Sequence, residues 1–265
     1  MRKGFLFALA LLAIVALAAS GAYAATCTPT GFYKDGINLT AAVVNPSGAY
    51  SSTLDSTGCN IGVYYWPGAT GTVDGADISG ANYFGVLVAG DCGAGAPSCT
   101  PGATSVDVEN STVSDIHDLP SLDGAQHGSG IAYYDYSLSG SASGTASRNT
   151  VSDYQKGGIV VLGTGASVSV SDNTVTGIGP TSAIAQNGIE FDFGAAVVDL
   201  SGNDVSGNIF TQNPSGGPYT PYVSTGILLY EASSFSGEPV GMSDQGKIAS
   251  TNHAFDNQSN VTIIQ

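Results

Sequence analysis

Positive charge is scarce in this chain. Six of its 265 residues are Lys or Arg, against 21 Asp and Glu, and the formal net charge is −15. Such a surface repels nucleic acid and anionic membranes. It also speaks against a groove for polyanionic sugars, which needs several cations. Strong helix formers are sparse beyond the N-terminus. No apolar run after Ala19 approaches the roughly 20 residues that span a bilayer. The four cysteines match no zinc spacing, and no contiguous calcium loop is present. What is abundant is Gly, at 37 residues, with Tyr at 13 and many Ser and Thr. That profile favours strands and corners.

Residues 1–24 read as an export signal. Arg2 and Lys3 form a basic start, Phe5 to Ala19 an apolar run, and Ala22-Tyr23-Ala24 an A-x-A cleavage site. Cleavage leaves four cations, Lys34, Arg148, Lys156 and Lys247, against all 21 acids, a net charge of −17. The expected location is secreted, extracellular or at the cell surface, with no membrane insertion after cleavage. In an exported chain an even cysteine count points to disulfides. Cys92–Cys99 would pin the loop between them, and Cys27–Cys59 would staple the N-terminal segment.

One unit recurs from about Asn60 onward. A Gly precedes a short β-branched run at Gly62-Val63, Gly85-Val86, Gly130-Ile131, Gly158-Ile159, Gly188-Ile189 and Gly226-Ile227. Between these lie alternating runs that end in an Asn corner, such as Val168-Ser169-Val170-Ser171-Asp172-Asn173. One such coil cannot bury its apolar side chains alone. Stacked in parallel about 4.8 Å apart, coils pair every strand and share one core. Asn tolerates left-handed backbone and can ladder between coils; Asn110, Asn149, Asn173 and Asn203 are expected to do so. The predicted organisation is a cap over 25–60 and a helical stack over 61–265.

The N-x-V-(S/T) plus Gly-Ile pattern resembles the right-handed parallel β-helix repeat proteins, a large group of secreted pectate-lyase-like folds. The resemblance implies an all-β solenoid with a disulfide-stapled N-terminal cap. It does not imply one function, since relatives include lyases, epimerases, hydrolases, tailspikes and adhesins.

Three corners align before Gly-Ile: Gln126-His127, Gln155-Lys156 and Gln186-Asn187. If stacked, they put a Gln ladder beside a column of His127, Lys156 and Asn187. Tyr133, Tyr134, Asp135 and Tyr136 follow the first corner. Rings beside hydrogen-bonding groups suit a sugar. Lys156 or His127 is the candidate base, and Tyr134 or Asp135 the candidate proton donor. Glu190 and Asp192 share one strand face and are candidate substrate contacts, or the acid pair of a hydrolase. Each has a plain structural alternative: Gln ladders satisfy backbone groups, and acids on outward faces are solvated. No metal site is expected, although calcium held by carboxylates could stand in for Arg against a substrate carboxylate. The only Trp, in Tyr64-Tyr65-Trp66-Pro67, reads as packing against a cap or loop. Asn213 to Tyr222 reads as an exposed arm, and His117 and His253 as loop residues. The favoured function is polysaccharide binding without a catalytic signature. The alternatives are a lyase or C5-epimerase, and a purely structural envelope protein.

Overall fold

A computed structural model describes residues 25–211 and 223–265. The export signal over 1–24 and the whole Asn213–Tyr222 stretch lie outside the described residues. The chain winds through three sheets, of nine, eight and seven strands. Each turn of the coil gives one strand to each sheet, and neighbouring turns pair in parallel. The Gly-led runs are the front sheet. Their register is Val63↔Val86↔Ile131↔Ile159↔Ile189↔Ile227↔Val261. These side chains face inward, all at 7% exposure or less. They meet Val73, Val108, Ala146, Val170 and Leu200 of the second sheet and Ile78, Val113, Val151, Val175 and Val205 of the third. Each fully buried Val or Ile contributes about 1.5–3 kcal/mol of transfer free energy. The preceding Gly has a steric cause: a Cβ on Gly188 would lie 2.5 Å from Gly226 O and against Val205.

The Asn ladder is real but shifted by one residue at its start. Asn149, Asn173, Asn203 and Asn252 are linked Nδ2 to Oδ1 at 3.0, 2.9 and 2.8 Å. Above Asn149 the rung is Ser111, whose N–H donates to Asn149 Oδ1 at 3.0 Å. Asn110 is outside the ladder. It occupies the left-handed corner beside it (φ 49°), as do Arg148 (φ 56°) and Asp172 (φ 57°). The division is physical: the corner residue takes the unusual backbone, and the next residue turns its amide inward to satisfy buried carbonyls.

Coils begin earlier than the Gly-Ile pattern suggests. Ile37–Val44, Ala49–Tyr50 and Thr53–Asp55 supply one strand to each sheet. Asn45 and Pro46 sit in a corner of that first coil. The cap proper is Thr28–Lys34, which pairs antiparallel to Ile37–Val44 across an Asp35-Gly36 turn. Both turn residues have positive φ, 53° and 79°, as a two-residue hairpin of this hand demands. Both disulfides are formed, Cys27–Cys59 and Cys92–Cys99. The hairpin folds back over the outer face of the front sheet. There Phe32 meets Tyr64, Phe84 and Tyr134 at ring-centre distances of 6.2, 6.3 and 5.0 Å. This makes a second, smaller core with Leu39, Ile61, Leu87 and Ala132. At the other end the helix Asp244–Thr251 places Ile248 against the main core. Among the described residues no helix is long and apolar enough to cross a membrane.

Candidate functional site

Where the hairpin stops, the outer face of the front sheet opens into a groove of about 880 Å³. It runs from Phe84 to the last strand, Ser259–Ile264. Strand alternation sets two of its columns, because every second side chain points outward after the inward Ile or Val; the other stands just before the Gly, where the alternation breaks. Three outward columns form its floor. One runs Ser129, Gly157, Asn187, Thr225, Ser259. The next is Val160, Glu190, Leu228, Thr262, and the last Tyr134, Leu162, Asp192, Tyr230, Ile264. Four steps of about 4.8 Å make the last column roughly 19 Å long.

A row of rings follows that column. Tyr134 meets Tyr136 at 5.0 Å, Tyr136 meets Phe193 at 6.1 Å, and Phe193 meets Tyr230 at 5.3 Å. Tyr136 and Phe193 are more than 40% exposed, so their faces are available. Lys34 on the hairpin and Lys156 also line the groove, as does Gln126. Half of the cations outside the export signal thus gather in one place. The expectation that too few cations exist for an acidic sugar holds for the whole surface but is weakened locally.

Glu190 and Asp192 sit at the groove's centre, each 6% exposed. They stand two residues apart on one face of the strand Asn187–Asp192. Asn187 Nδ2 donates to Glu190 Oε2 at 2.9 Å. Asp192 Oδ1 is buried with no other partner. Burial, then the hydrogen bond and charge of Glu190, push the Asp192 carboxyl far above the usual range. Burial also acts on Glu190, but the hydrogen bond with Asp192, the charge of Lys156 and the Asn187 amide outweigh it and hold Glu190 low. Like charges in contact cannot both ionise cheaply, so the pair carries one proton at neutral pH. Lys156 Nζ itself donates to Ala185 O at 3.2 Å.

Several expected site residues lie elsewhere. Tyr133 is in the core, its hydroxyl donating to Val106 O at 2.8 Å; it shares the inward phase of Ile131. Gln155 and Gln186 are fully buried corner residues. Gln155 binds Asp123 and Ala125 O, and Gln186 donates to the Tyr154 carbonyl, so they serve the backbone and form no surface ladder. His127 stacks on Tyr83 at 3.9 Å and contacts Asp118 at 2.7 Å and Asp35 at 3.3 Å. It fastens the hairpin tip and does not line the groove. Asp135 is fully buried beyond the end of its strand, and Oδ1 accepts from Ser137 N at 2.7 Å. Burial raises its pKa, but it faces no open space. Arg148 is on the second sheet's corner, paired with Glu109 at 2.8 Å. Trp66 is 49% exposed, so it is not packed away beneath a loop. His117 contacts Asp115 at 2.7 Å and lies 3.9 Å from Asp153, outside the groove.

Sequence reasoning missed Lys34, Phe193 and Tyr230. Tyr230 was readable, since it stands at the same step after Gly-Ile as Tyr134 and Asp192. Lys34 had no local signal, because only the fold-back of the hairpin brings it there.

The signature of the family described as a right-handed β-helix region matches residues 15–175, more than half of the chain. The chain belongs to that family. No curated protein and no solved structure matches it. The family accounts for the coils of this β-helix protein. The chemistry of the groove has to be argued from its own side chains.

Proposed function

We propose that this β-helix protein is exported and binds a polysaccharide chain along the groove, with the sugar rings seated on the aromatic row. The observation that carries the reading is that row: Tyr134, Tyr136, Phe193 and Tyr230 run parallel to the coil axis. Sugars offer apolar ring faces and many hydroxyls, and the groove offers rings beside Asn187, Thr225 and Ser259. Two disulfides support export, since such bonds persist in oxidising compartments. Rigid floor strands and a staple at one end favour a site formed in advance.

Glycan arrays and cell-wall pull-downs with the full chain test the proposal. Binding should appear for an extended glycan and fall about tenfold in Tyr136→Ala and in Phe193→Ala, each removing one stacking face. Absence of binding to every glycan tried, or binding indifferent to both substitutions, would remove the reading.

A further inference from the structure

Away from the groove, Asp115 and Asp153 occupy one corner in successive turns of the coil, where the chain passes from the third sheet to the front sheet. Val113 pairs with Val151 just before them, and Ile116 N–H donates to Asp153 O at 2.9 Å. Both have left-handed backbone, φ 58° and 51°, which Asp tolerates. The turn before has Gly80 at that corner and the turn after has Gly177. Two carboxylates thus stand one rung, about 4.8 Å, apart, and like charges in that arrangement repel. The mostly buried ring of His117 reaches into the gap. Its Nε2 is 2.7 Å from Asp115 Oδ1 and 3.9 Å from Asp153 Oδ1.

The other ring nitrogen decides what Nε2 can do. His117 Nδ1 is 2.9 Å from Asp118 O. A carbonyl oxygen only accepts, so Nδ1 carries the hydrogen. In a neutral ring Nε2 is then a bare lone pair, and it faces carboxylate oxygens that are acceptors too. Something positive has to lie between them. A proton on Nε2 serves Asp115 but leaves Asp153 Oδ1 at 3.9 Å, beyond hydrogen-bond reach. A divalent ion serves all three, and its two charges cancel those of the two carboxylates. The three donor atoms lie within 4.8 Å of one another. Zinc bonds of about 2.0–2.2 Å set tetrahedral donors about 3.4 Å apart, and the distances of 2.7 and 3.9 Å bracket that spacing. An imidazole donor favours zinc over calcium, which takes a shell of oxygens. A ring N–H given to a backbone carbonyl is also the contact that orients a ligating imidazole.

We propose that Asp115, His117 and Asp153 bind a zinc ion through Oδ1, Nε2 and Oδ1. Both Asp side chains are about half exposed, so water takes the fourth position. The site stands at the root of the corner insertion 117–128, whose Asp118 and His127 hold the hairpin tip at Asp35. The ion joins that root to the turn below. None of this depends on what the groove binds.

The test uses the full chain, free of any affinity tag and stripped with a chelator. Zinc is titrated by calorimetry, and thermal melts are run with and without it. We expect one zinc per chain, bound about 100-fold or more tighter than calcium. The melting midpoint should climb with zinc concentration and fall back when chelator is added. Asp115→Asn and Asp153→Asn keep a residue that accepts the corner's backbone. These two and His117→Ala should each weaken zinc binding about 100-fold, since even a partner one step removed from a metal is worth about 10–100-fold. Cobalt in place of zinc should give the strong visible bands of a four-coordinate site, lost in His117→Ala. Failure to take up zinc near one equivalent overturns the proposal. Uptake that all three variants leave unchanged also overturns it, and reduces Asp115 and His117 to a plain ion pair. Calcium bound as tightly as zinc would remove the imidazole from the site and the proposal with it.

Discussion

The front sheet has one outer face but two fates along its length. In the early coils the outward side chains are Tyr64, Leu87 and Ala132, sealed beneath Phe32 of the hairpin. In the later coils the same column carries Val160, Glu190, Leu228 and Thr262, which no hairpin covers and which line the groove. Inward positions barely change across that boundary: Val, Val, Ile, Ile, Ile, Ile, Val. The coil is therefore indifferent to what its outer face does. Stability is written on the inward phase and at the corners, while the outward phase is free to serve either a cap or a ligand.

The strongest way to break this contrast is to remove its anchor. Phe32→Ala should cost about 3–5 kcal/mol in chemical denaturation, the range for a large buried ring. Phe193→Ala, on the open half, should leave the midpoint nearly unchanged while glycan binding falls. If both cost the same, the covered face is no second core.

Next comes the ladder. Asn173→Ala would leave Asn149 N–H and the Ala146 carbonyl without their partner in the core. Each unsatisfied group costs about 1–3 kcal/mol. Asn110→Ala, at the exposed corner beside the ladder, should cost only about 1 kcal/mol, the strain of Ala in its left-handed backbone (φ 49°). Equal losses would put both residues in one network, against the geometry.

A smaller effect separates the open half by pH. The folded-state value of Asp192 is raised, so the folded chain holds a proton that the unfolded chain loses above about pH 4. Stability from this group is complete below that pH and declines as pH rises toward the folded value. Asp192→Asn should therefore match wild type near pH 4 and melt higher at pH 8. Each kcal/mol corresponds to about 2–4 °C for a chain of this size. Asp118, at the covered end, behaves oppositely. Burial raises it, but hydrogen bonds from His127, Asn82 and Gln155 bring it below the ordinary value. Its contribution is present above about pH 4 and lost as pH falls through the lower folded value, so Asp118→Asn should show its deficit at neutral pH and not in strong acid. Melting curves at three pH values check both.

The coil was legible because its causes are local. Gly before Ile follows from a close approach between neighbouring turns, and Val-x-Val from alternation. The ladder was misread at Asn110 because Asn-Ser-Thr-Val and Arg-Asn-Thr-Val were aligned on Asn. Alignment on Thr-Val puts Ser111 beside Asn149, as the fold does. Tyr133 was separable from Tyr134 by the same phase rule that makes Ile131 inward. Gln155, Gln186 and His127 were placed at the right corners but assigned outward, since corners have no alternation to fix direction. The groove itself was only half visible. Glu190, Asp192 and Lys156 lie on regular positions, whereas its closed end depends on a hairpin folding across a sheet, a contact that no local pattern encodes.

Asn149, Asn173 and Asn203 each receive from the turn before and give to the turn after in the same way. A duplicated turn slipped between two rungs would find its bonding pattern already waiting on both sides. Descendants of this chain can thus grow taller by whole storeys, each lengthening the trough by about 4.8 Å, while the capped end never learns of the change.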